Sequence, residues 1–502
     1  MGEPFLAQYT VRSKQSYIFR TNHLVEIQGA SRIIADTFND IYSCAEKLGY
    51  TAERATRAQF SMEDVLTRFE NGTLHMAELF IGGGNDTILF RDRALFQSVN
   101  RCYTRLVLES YPGMIPMCVG VELEKTDGEY NYILDYKRLM AESDREKNRM
   151  IPGRIQNAQP FAMMDRTTFQ PYSRWWETSK REWRGSDEAA QKLQIGQPQT
   201  GVRFLDNLTT EPGTESLLAI VHADGNNMGK KIQRKLGEET GYDHCVTAMR
   251  EFTCDIHHVF AEVGRAAVDA CAERLRKEMP ALRDTAFDVR WLVCDGDDAT
   301  FICNARLAKA LTEAYLNAVT GYNAENGGDA YSSCAGICIF HSHYPAARAY
   351  DLAEQACDEA KGPVHEADNL EQGWFDFHFI RSGISGDLSE IRKHHGTQRC
   401  IARPWLVSGG AEDDIHSVTV MDRMADILRD CKVSRQNIKS FGPALESDKS
   451  LAALEWERIC YNTEGLKQKM TSLVHDWDRL SSVLYDLSES CDLWYNLSAG
   501  EV

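Results

Sequence analysis

The sequence predicts an α+β fold in which a β-α-β-β-α-β unit occurs twice and a mainly helical domain follows. Two observations predict the repeat. The order of apolar runs and amphipathic stretches before residue 148 returns after residue 215, and each copy places two β-prone runs around a turn rich in Gly and Asp. Apolar residues at helical spacing in Leu451–Leu497 predict the helical domain. We therefore divide the chain into a first unit at 1–148, an inter-domain insert at 149–214, a second unit at 215–380 and a C-terminal helical domain at 381–502.

The composition is that of a soluble globular protein. The chain has 502 residues, of which 43% are hydrophobic and 26% charged, enough for several domains with sizeable cores. A net charge of −18 argues against a large non-specific nucleic-acid surface. No apolar run approaches a membrane span, and the first residues fit neither a secretion signal nor a myristoylation pattern. The 15 cysteines contain no Cys-x-x-Cys pair, so we expect a cytoplasmic protein with reduced thiols and no membrane partner.

The two copies of the repeat are predicted element by element. In the first unit we expect a strand that runs into a loop within 5–19, strands at 74–90 in two runs and at 114–123, and helices at 23–48, about 93–110 and about 130–148. In the second unit we expect strands at 217–223, at 288–303 in two runs and at 331–340, with helices at 243–279, about 305–322 and 346–361. Two such units are typical of two ferredoxin-like, or palm, domains.

The second unit carries a crowded acidic turn in the hairpin 288–303. Asp295, Asp297 and Asp298 stand within four residues, and Gly296 permits the tight turn. Carboxylates this close repel one another unless a cation neutralises them. A solvated Asp-Gly turn is the alternative explanation for the motif taken alone.

A fourth carboxylate is expected beside this turn. In a right-handed β-α-β crossover the first two strands run parallel, so the first strand ends at the edge where the hairpin turns. That strand ends at Asp224, followed by Gly225, Gly229 and Lys230. Asp224, Asp297 and Asp298 would then present the oxygen ligands that two Mg²⁺ ions need, while the glycines and Lys230 suit phosphate. Taken alone, Asp224-Gly225 could also be a helix N-cap.

The pairing of Asp-Gly-Asn-Asn-x-Gly-Lys at 224–230 with Asp-Gly-Asp-Asp at 295–298 resembles the palm polymerase/cyclase of the large subunit of type III CRISPR complexes. Further matching stretches are Phe19-x-Thr-Asn-x-Leu-x-Glu-Ile-x-Gly-x-Ser-Arg32, Gly82-Gly-Gly-Asn85, Ala335-Gly-Ile337 before Tyr344-Pro345, and Ala360-Lys361. The resemblance covers most of the chain.

The resemblance implies an enzyme that joins ATP, or another NTP, into a cyclic oligonucleotide messenger in anti-phage defence. It implies two Mg²⁺ (or Mn²⁺) ions held by Asp224, Asp297 and Asp298. Its implied partners are the NTP, defence-complex subunits or an RNA activator, and a second copy of the chain. The implied nucleotide-binding residues are Gly225, Asn226, Asn227, Gly229, Lys230, Gly296 and Lys361.

The sequence also departs from the family pattern. Asp295 replaces the first Gly of the usual hairpin, and Asn226 stands where an acidic residue is frequent. The N-terminal nuclease domain and the zinc ribbon are missing, which predicts a reduced relative. Two alternative functions stay open: a purine- or diguanylate-cyclase-like enzyme, and a non-catalytic scaffold subunit of an RNA-guided effector complex.

The two palms are predicted to be unequal. Aligning the hairpins by their outgoing strands puts Asn85 and Asp86 opposite Asp297 and Asp298, so the first palm would retain one carboxylate of the pair. Cations at 12 and 14 stand where the second palm has Asp224. One carboxylate beside two cations is a poor Mg²⁺ site, so only the second palm is predicted to be catalytic.

Overall fold

The computed structural model describes residues 2–111, 113–126, 128–149, 174–178, 181–185, 187–196, 204–211, 213–326, 330–366, 371–381, 386–410 and 414–495. The predicted insert at 149–214 therefore lies partly outside the described residues. Within these ranges, no helix is both long and apolar enough to cross a membrane.

The first palm is a five-stranded sheet in the order β2-β3-β4-β1-β5, with β1 antiparallel to both of its neighbours. This is the ferredoxin-like order, extended at one edge by β2. Its strands are β1 Phe5–Arg12, β2 Ala52–Glu53, β3 Met76–Gly82, β4 Asn85–Phe90 and β5 Ile115–Glu122, followed by a small ribbon of β6 Lys125–Thr126 and β7 Glu129–Tyr130. Its helices are α1 Lys14–Ile18, α2 Leu24–Asp36, α3 Asn39–Lys47, α4 Met62–Glu70, α5 Arg93–Ser110 and α6 Tyr132–Arg149.

The second palm repeats this topology after a short hairpin and helix, β8 Arg174–Thr178, β9 Arg181–Gly185 and α7 Asp187–Ile195. Its sheet has the order β11-β12-β10-β13-β14-β15. The strands are β10 Leu217–Gly225, β11 Arg290–Asp295, β12 Asp298–Asn304, β13 Ser333–His341, β14 Gly373–Phe379 and β15 Trp405–Ser408. The helices are α8 Met228–Leu236, α9 Tyr242–Ile256, α10 Gly264–Glu278, α11 Ala308–Asn326, α12 Ala346–Glu366 and α13 Leu388–His394. Strands β11, β12, β10 and β13 again form the ferredoxin-like order, which confirms the predicted pair of palms.

Five α-helices lie between residues 418 and 490, in the region that the sequence predicts to be mainly helical. They are α14 Val418–Asp430, α15 Arg435–Ser447, α16 Lys449–Tyr461, α17 Leu466–Leu473 and α18 Trp477–Ser490. Four of them begin after a side chain that accepts a hydrogen bond from a backbone N–H of the first turn, which satisfies an otherwise unpaired donor. These capping residues are Ser417, Ser434, Asp448 and Asp476.

Local structure departs from the prediction at the first long helix and at one edge of the second sheet. The single helix expected at 23–48 is two helices, α2 and α3, separated at Thr37 and Phe38. Both residues turn inward: Phe38 is buried, and the Thr37 hydroxyl lies 3.1 Å from the Tyr103 hydroxyl. The second sheet also contains β14 and β15, two strands beyond the predicted repeat unit, and β14 lies parallel to β13.

The chain forms two compact units that are interleaved in sequence. One comprises Met1–Phe204, Asn227–Ala261 and Leu292–Asp297; the other comprises Leu205–Asn226, Glu262–Trp291 and Asp298–Val502. In the first of these compact units, α9 packs on the first palm, where Tyr242 and Val246 join its core. Arg250 of α9 donates hydrogen bonds to the carbonyls of Glu78 and Leu79 at 2.9 and 2.7 Å. In the second unit, β13, α12 and β14 share an apolar cluster that includes Cys357. The predicted domain boundaries stay a prediction.

Candidate functional site

Asp224 and Asp298 lie at the same edge of the second sheet. Antiparallel pairing of β10 with β12 runs as far as Ala223 opposite Ala299, and the two aspartates follow one residue beyond this pair. Residues opposite each other on antiparallel strands share a face and stand about 4.5–5.5 Å apart at Cβ. The strand register therefore places these two carboxylates side by side.

Lys361 is the cationic partner of Asp224. Its ammonium group, on α12, forms a close ion pair with Asp224 Oδ2, and the two side chains are 17% and 33% exposed. Burial alone would lower the pKa of Lys361, but Cys357 and Asp224 outweigh burial and raise that pKa above its ordinary value. Ser333 Oγ donates to the Asp224 carbonyl at 2.9 Å, which fixes the backbone here. The site thus contains a protonated lysine held against one of its two carboxylates.

His222 stands two residues before Asp224, on the same face of β10. Its Nδ1 lies 3.0 Å from Thr300 Oγ1 and 3.4 Å from Asp298 Oδ1. Burial lowers the pKa of His222 below its ordinary value, against the opposing effect of Asp224 and Glu354. Burial also raises the pKa of Glu354, which lies on α12 near Asp298.

The segment after β10 turns sharply into α8. Asn226 is buried: its backbone N–H and its Nδ2 donate to Ser332 O and Oγ at 3.0 and 2.9 Å, and Nδ2 also donates to Gln372 O at 3.0 Å. Asn227 has the left-handed backbone φ of 56° and precedes the first helical turn. Asn226 thus ties the end of β10 to its neighbours, in addition to its predicted place near a nucleotide.

Three different elements contain four of the residues predicted to bind nucleotide, namely Gly225, Gly229, Lys230 and Lys361. Gly225 ends β10 opposite Ser333, while Gly229 and Lys230 lie in the exposed first turn of α8. A Cβ at Gly229 would meet no atom within 4 Å, so the backbone here is open to a ligand. These placements agree with phosphate approach, and the nucleotide-binding role of each residue stays a prediction.

The acidic hairpin turn contains Gly296 and Asp297 between β11 and β12. Gly296 has φ 65°, a left-handed conformation that glycine adopts without strain. A Cβ there would lie 3.4 Å from the Gly83 nitrogen, so the two glycine-bearing turns approach closely. Asp297 is half-buried and directly precedes Asp298.

The donor set suits the implied magnesium. Asp224 and Asp298 offer carboxylate oxygens that are one third exposed. Mg²⁺ commonly uses one or two carboxylates together with waters and substrate phosphates. In the part of the chain that the structure describes, no group of three or more His, Cys, Asp or Glu side chains is arranged to hold a metal ion by itself. The metal-ligand role of the three aspartates, and the second ion, stay predictions.

The first palm differs at the corresponding edge, and the predicted alignment of its hairpin is wrong by one residue. The two-residue turn there is Gly83-Gly84, and Asn85 begins β4 as Asp298 begins β12. Asn85 pairs with Thr10, so Thr10 takes the place of Asp224. The cations at 12 and 14 were predicted at that position, and this prediction is wrong.

The Asp86 side chain lies on the opposite face of the sheet from Asn85, because neighbouring residues of a strand face opposite sides. It is fully buried, and its Oδ2 accepts a hydrogen bond from the Tyr42 hydroxyl at 2.9 Å. Burial, reinforced by Glu78, raises the pKa of Asp86 well above its ordinary value. The first palm consequently keeps neither carboxylate of the pair, and the expectation that it keeps one is wrong.

Sequence reasoning missed His222, Thr300 and Glu354. A signal existed for His222, since it is the polar residue in an otherwise apolar strand and stands two positions before Asp224. Glu354 precedes Lys361 by seven residues, which places both on one face of α12. Thr300 carries no comparable signal.

Neither a protein-family model nor a curated protein matches the sequence. Solved structures with a similar fold do exist. The Csm1-Csm4 cassette in complex with pppApA aligns with a TM-score of 0.48 and 13% identity over 96% of this chain and 69% of that chain. The cassette in complex with cA4 aligns at 0.46 and 13% over 85% and 62%. Csm1 from T. onnurineus aligns at 0.44 and 13% over 85% and 61%.

Another similar structure is the Csm1-Csm4 subcomplex in the type III-A CRISPR-Csm interference complex. At 13% identity the similarity concerns the fold. This chain spans less than two thirds of the matched chain in the cA4 complex and in the T. onnurineus structure, 62% and 61% respectively.

Proposed function

We propose that this chain is a Mg²⁺- or Mn²⁺-dependent nucleotidyl cyclase of CRISPR-type antiviral defence. It would join ATP, or another NTP, into a cyclic oligonucleotide and release pyrophosphate. The observation that carries the proposal is the placement of Asp224 beside Asp298 at one sheet edge, with the Lys361 ammonium group against Asp224.

The residues divide the chemistry among them. A bound Mg²⁺ supplies positive charge that neutralises a triphosphate and lowers the pKa of an attacking 3′-hydroxyl. Asp224 and Asp298 would hold that ion, with Asp297 as the further predicted ligand. The hydroxyl oxygen bonds to the α-phosphorus, its proton passes to solvent, and the bond from the α-phosphorus to the pyrophosphate oxygen breaks. Lys361 and Lys230 would neutralise charge on the leaving phosphates as flexible point charges.

The proposed nucleotide ligand rests on Asp224, Asp298 and Lys361, whereas the proposed partners rest on the resemblance of the sequence motifs. Similar Csm1-Csm4 cassettes have been solved in complex with AMPPNP and with cA3. For this chain we propose nucleoside triphosphates as substrates, subunits of a defence complex or an RNA as activators, and a second copy as a partner.

The test is to incubate the purified chain with each NTP and Mg²⁺ or Mn²⁺ and to identify products by mass spectrometry, beside Asp298→Asn as the matched inactive control. A cyclic oligonucleotide from the wild type alone supports the proposal. A cyclic mononucleotide or cyclic di-GMP would favour the purine- or diguanylate-cyclase alternative. The scaffold alternative would follow if calorimetry showed that no NTP binds and no product formed.

A further inference from the structure

Two buried carboxyl groups lie on the same face of the first palm's sheet. In the register of β3 with β4, Glu78 lies opposite Ile88, which is two residues along β4 from Asp86. Alternate residues of a strand share a face, so Glu78 and Asp86 are diagonal neighbours across the two strands. Glu78 is 2% exposed and Asp86 is fully buried. Two carboxylates so close together and so deep could not both be ionised without a large cost.

Each of these carboxyl groups has one oxygen with a donor and one without. Glu78 Oε2 accepts hydrogen bonds from Arg54 Nε at 3.1 Å and from the Ala55 backbone N–H at 2.7 Å. Asp86 Oδ2 accepts from the Tyr42 hydroxyl at 2.9 Å. Among the described residues, no donor reaches Glu78 Oε1 or Asp86 Oδ1, although both atoms are buried. An ionised carboxylate can only accept, and a buried acceptor without a donor is costly, so one proton between these two oxygens would satisfy both.

The donors decide which group is charged and which keeps the proton. Arg54 and a backbone N–H stabilise the ionised form of Glu78, whereas Asp86 has only the neutral hydroxyl of Tyr42. Burial raises the pKa of Asp86 well above its ordinary value, and the charge of Glu78 raises that pKa further, against the opposing effects of Tyr42 and Arg54. Asp86 is therefore the protonated member of the pair.

The other titratable groups near the pair do not compete for this proton. Three of them are affected electrostatically by Asp86, namely Tyr9 of β1, Tyr103 of α5 and Cys118 of β5. Burial raises the pKa of each of the three, so they stay neutral at neutral pH. Arg250 of α9 interacts with Glu78 and adds a further positive charge that favours the ionised form of that residue.

We propose that Asp86 and Glu78 share one proton in the folded protein, which Asp86 Oδ1 carries and donates to Glu78 Oε1, and that this proton makes the first palm sensitive to alkaline pH. A group whose pKa is higher in the folded state contributes stability at low pH that is lost as the pH rises through the folded-state pKa. Release of the proton leaves two negative charges on β3 and β4 beside Tyr42 of α3. The inference is independent of the proposed function, since neither side chain belongs to the proposed site.

Infrared spectroscopy of the full chain tests the shared proton, because a protonated carboxyl group absorbs apart from a carboxylate. At about pH 6, carboxyl groups with ordinary pKa values of about 3.9–4.3 are ionised, so few protonated carboxyl bands remain. We expect the spectrum of the wild type minus that of Asp86→Asn to contain one protonated carboxyl band. Asparagine keeps an N–H donor for Glu78, and circular dichroism checks that the variant is folded.

Asp135→Asn is the matched control. Asp135 is also buried in the first palm, but both of its oxygens have donors, Arg138 for Oδ1 and the Tyr242 hydroxyl for Oδ2. Its replacement should leave every protonated carboxyl band of the wild type in place.

Glu78→Gln tests whether Glu78 is the partner. This change removes the neighbouring negative charge, so the Asp86 band should disappear at a lower pH than in the wild type when the pH is raised. A folded Asp86→Asn that retains every protonated carboxyl band of the wild type would overturn the inference, and so would a cation bound between two ionised groups, which gives the same result. An Asp86 band that titrates at the same pH in Glu78→Gln and in the wild type would overturn the sharing.

Discussion

The two palms share a topology and differ in charge at the same edge of the sheet. In the second palm, Asp224 is the penultimate residue of β10, and Asp298 is the first residue of the adjacent strand β12. In the first, Thr10 and Asn85 hold these places, and the Lys14 ammonium group donates to the Gly84 carbonyl at 2.8 Å. A fold does not determine a function; the side chains at its site do. The first palm therefore has the same topology as the second but lacks both carboxylates, because two side chains differ.

The largest effect is expected from Asp298→Asn. The change removes a predicted ligand of the divalent ion, so turnover should fall by more than the about 10–100-fold typical of an outer-shell change. Asp297→Asn should behave similarly. The matched change at the first palm is Asn85→Asp, for which no loss of turnover is expected. Mass spectrometry measures the product yield of each variant. Near-normal turnover in both Asp297→Asn and Asp298→Asn would contradict their assignment as metal ligands.

A smaller effect is expected from Lys361→Ala. Hydrogen bonds to charged groups contribute about 1.5–3 kcal/mol, so ATP affinity should fall by roughly 10–100-fold. Divalent-ion affinity without nucleotide should rise, because the ammonium group no longer competes for Asp224. Lys230→Ala, in the exposed turn of α8, should weaken ATP binding less.

Calorimetric titration of ATP and of Mg²⁺ separately into each lysine variant provides the check. Lys361→Arg keeps the positive charge and serves as the control. Equal ATP affinity in the wild type and in the double alanine variant would refute the role of both lysines.

Asn226→Asp tests whether the acidic residue frequent in the family would improve this site. The Asn226 amide donates to Ser332 and Gln372, and a carboxylate cannot donate. We expect a loss of about 1–3 kcal/mol in the free energy of unfolding, measured by urea denaturation. Unchanged stability together with tighter Mg²⁺ binding would show instead that residue 226 faces the metal.

Asp86→Asn should have the smallest effect on turnover, which we expect to stay at the wild-type level. The substitution should instead change the free energy of unfolding and its dependence on pH. Because the pKa of Asp86 is raised in the folded state above its ordinary value of 3.8, the wild type loses stability as the pH rises from about 3.8 through the folded-state pKa. The loss is at most about 1.4 kcal/mol per pH unit for one proton, and asparagine has no such proton to lose.

Urea denaturation of both proteins between about pH 4 and pH 8 measures this difference. Asp86→Asn should gain stability relative to the wild type as the pH rises. Parallel pH curves, or a turnover loss as large as that of Asp298→Asn, would contradict the difference between the palms.

Much of this comparison was predictable. The repeat followed from periodicity, and the meeting of Asp224 with Asp298 followed from the handedness of the β-α-β crossover. The register of the first hairpin could not be predicted in this way. A slip of one residue along a strand exchanges the two faces, so the sequence alone does not decide whether Asn85 or the adjacent Asp86 takes the place of Asp298. The ion pair of Lys361 with Asp224 and the contact of His222 with Asp298 depend on side-chain packing between elements far apart in sequence, which periodicity does not encode.

The interleaving of the two compact units has a consequence for dividing the polypeptide. The chain passes between the units after residues 204, 226, 261, 291 and 297. A fragment ending at the predicted boundary of 214 would lack α9, and with it Tyr242, Val246 and Arg250 of the first palm. A continuous segment that holds the whole first compact unit must run to residue 297, and it then also carries residues 205–226 and 262–291 of the second. Cutting the chain between its two palms in sequence therefore does not separate the two units.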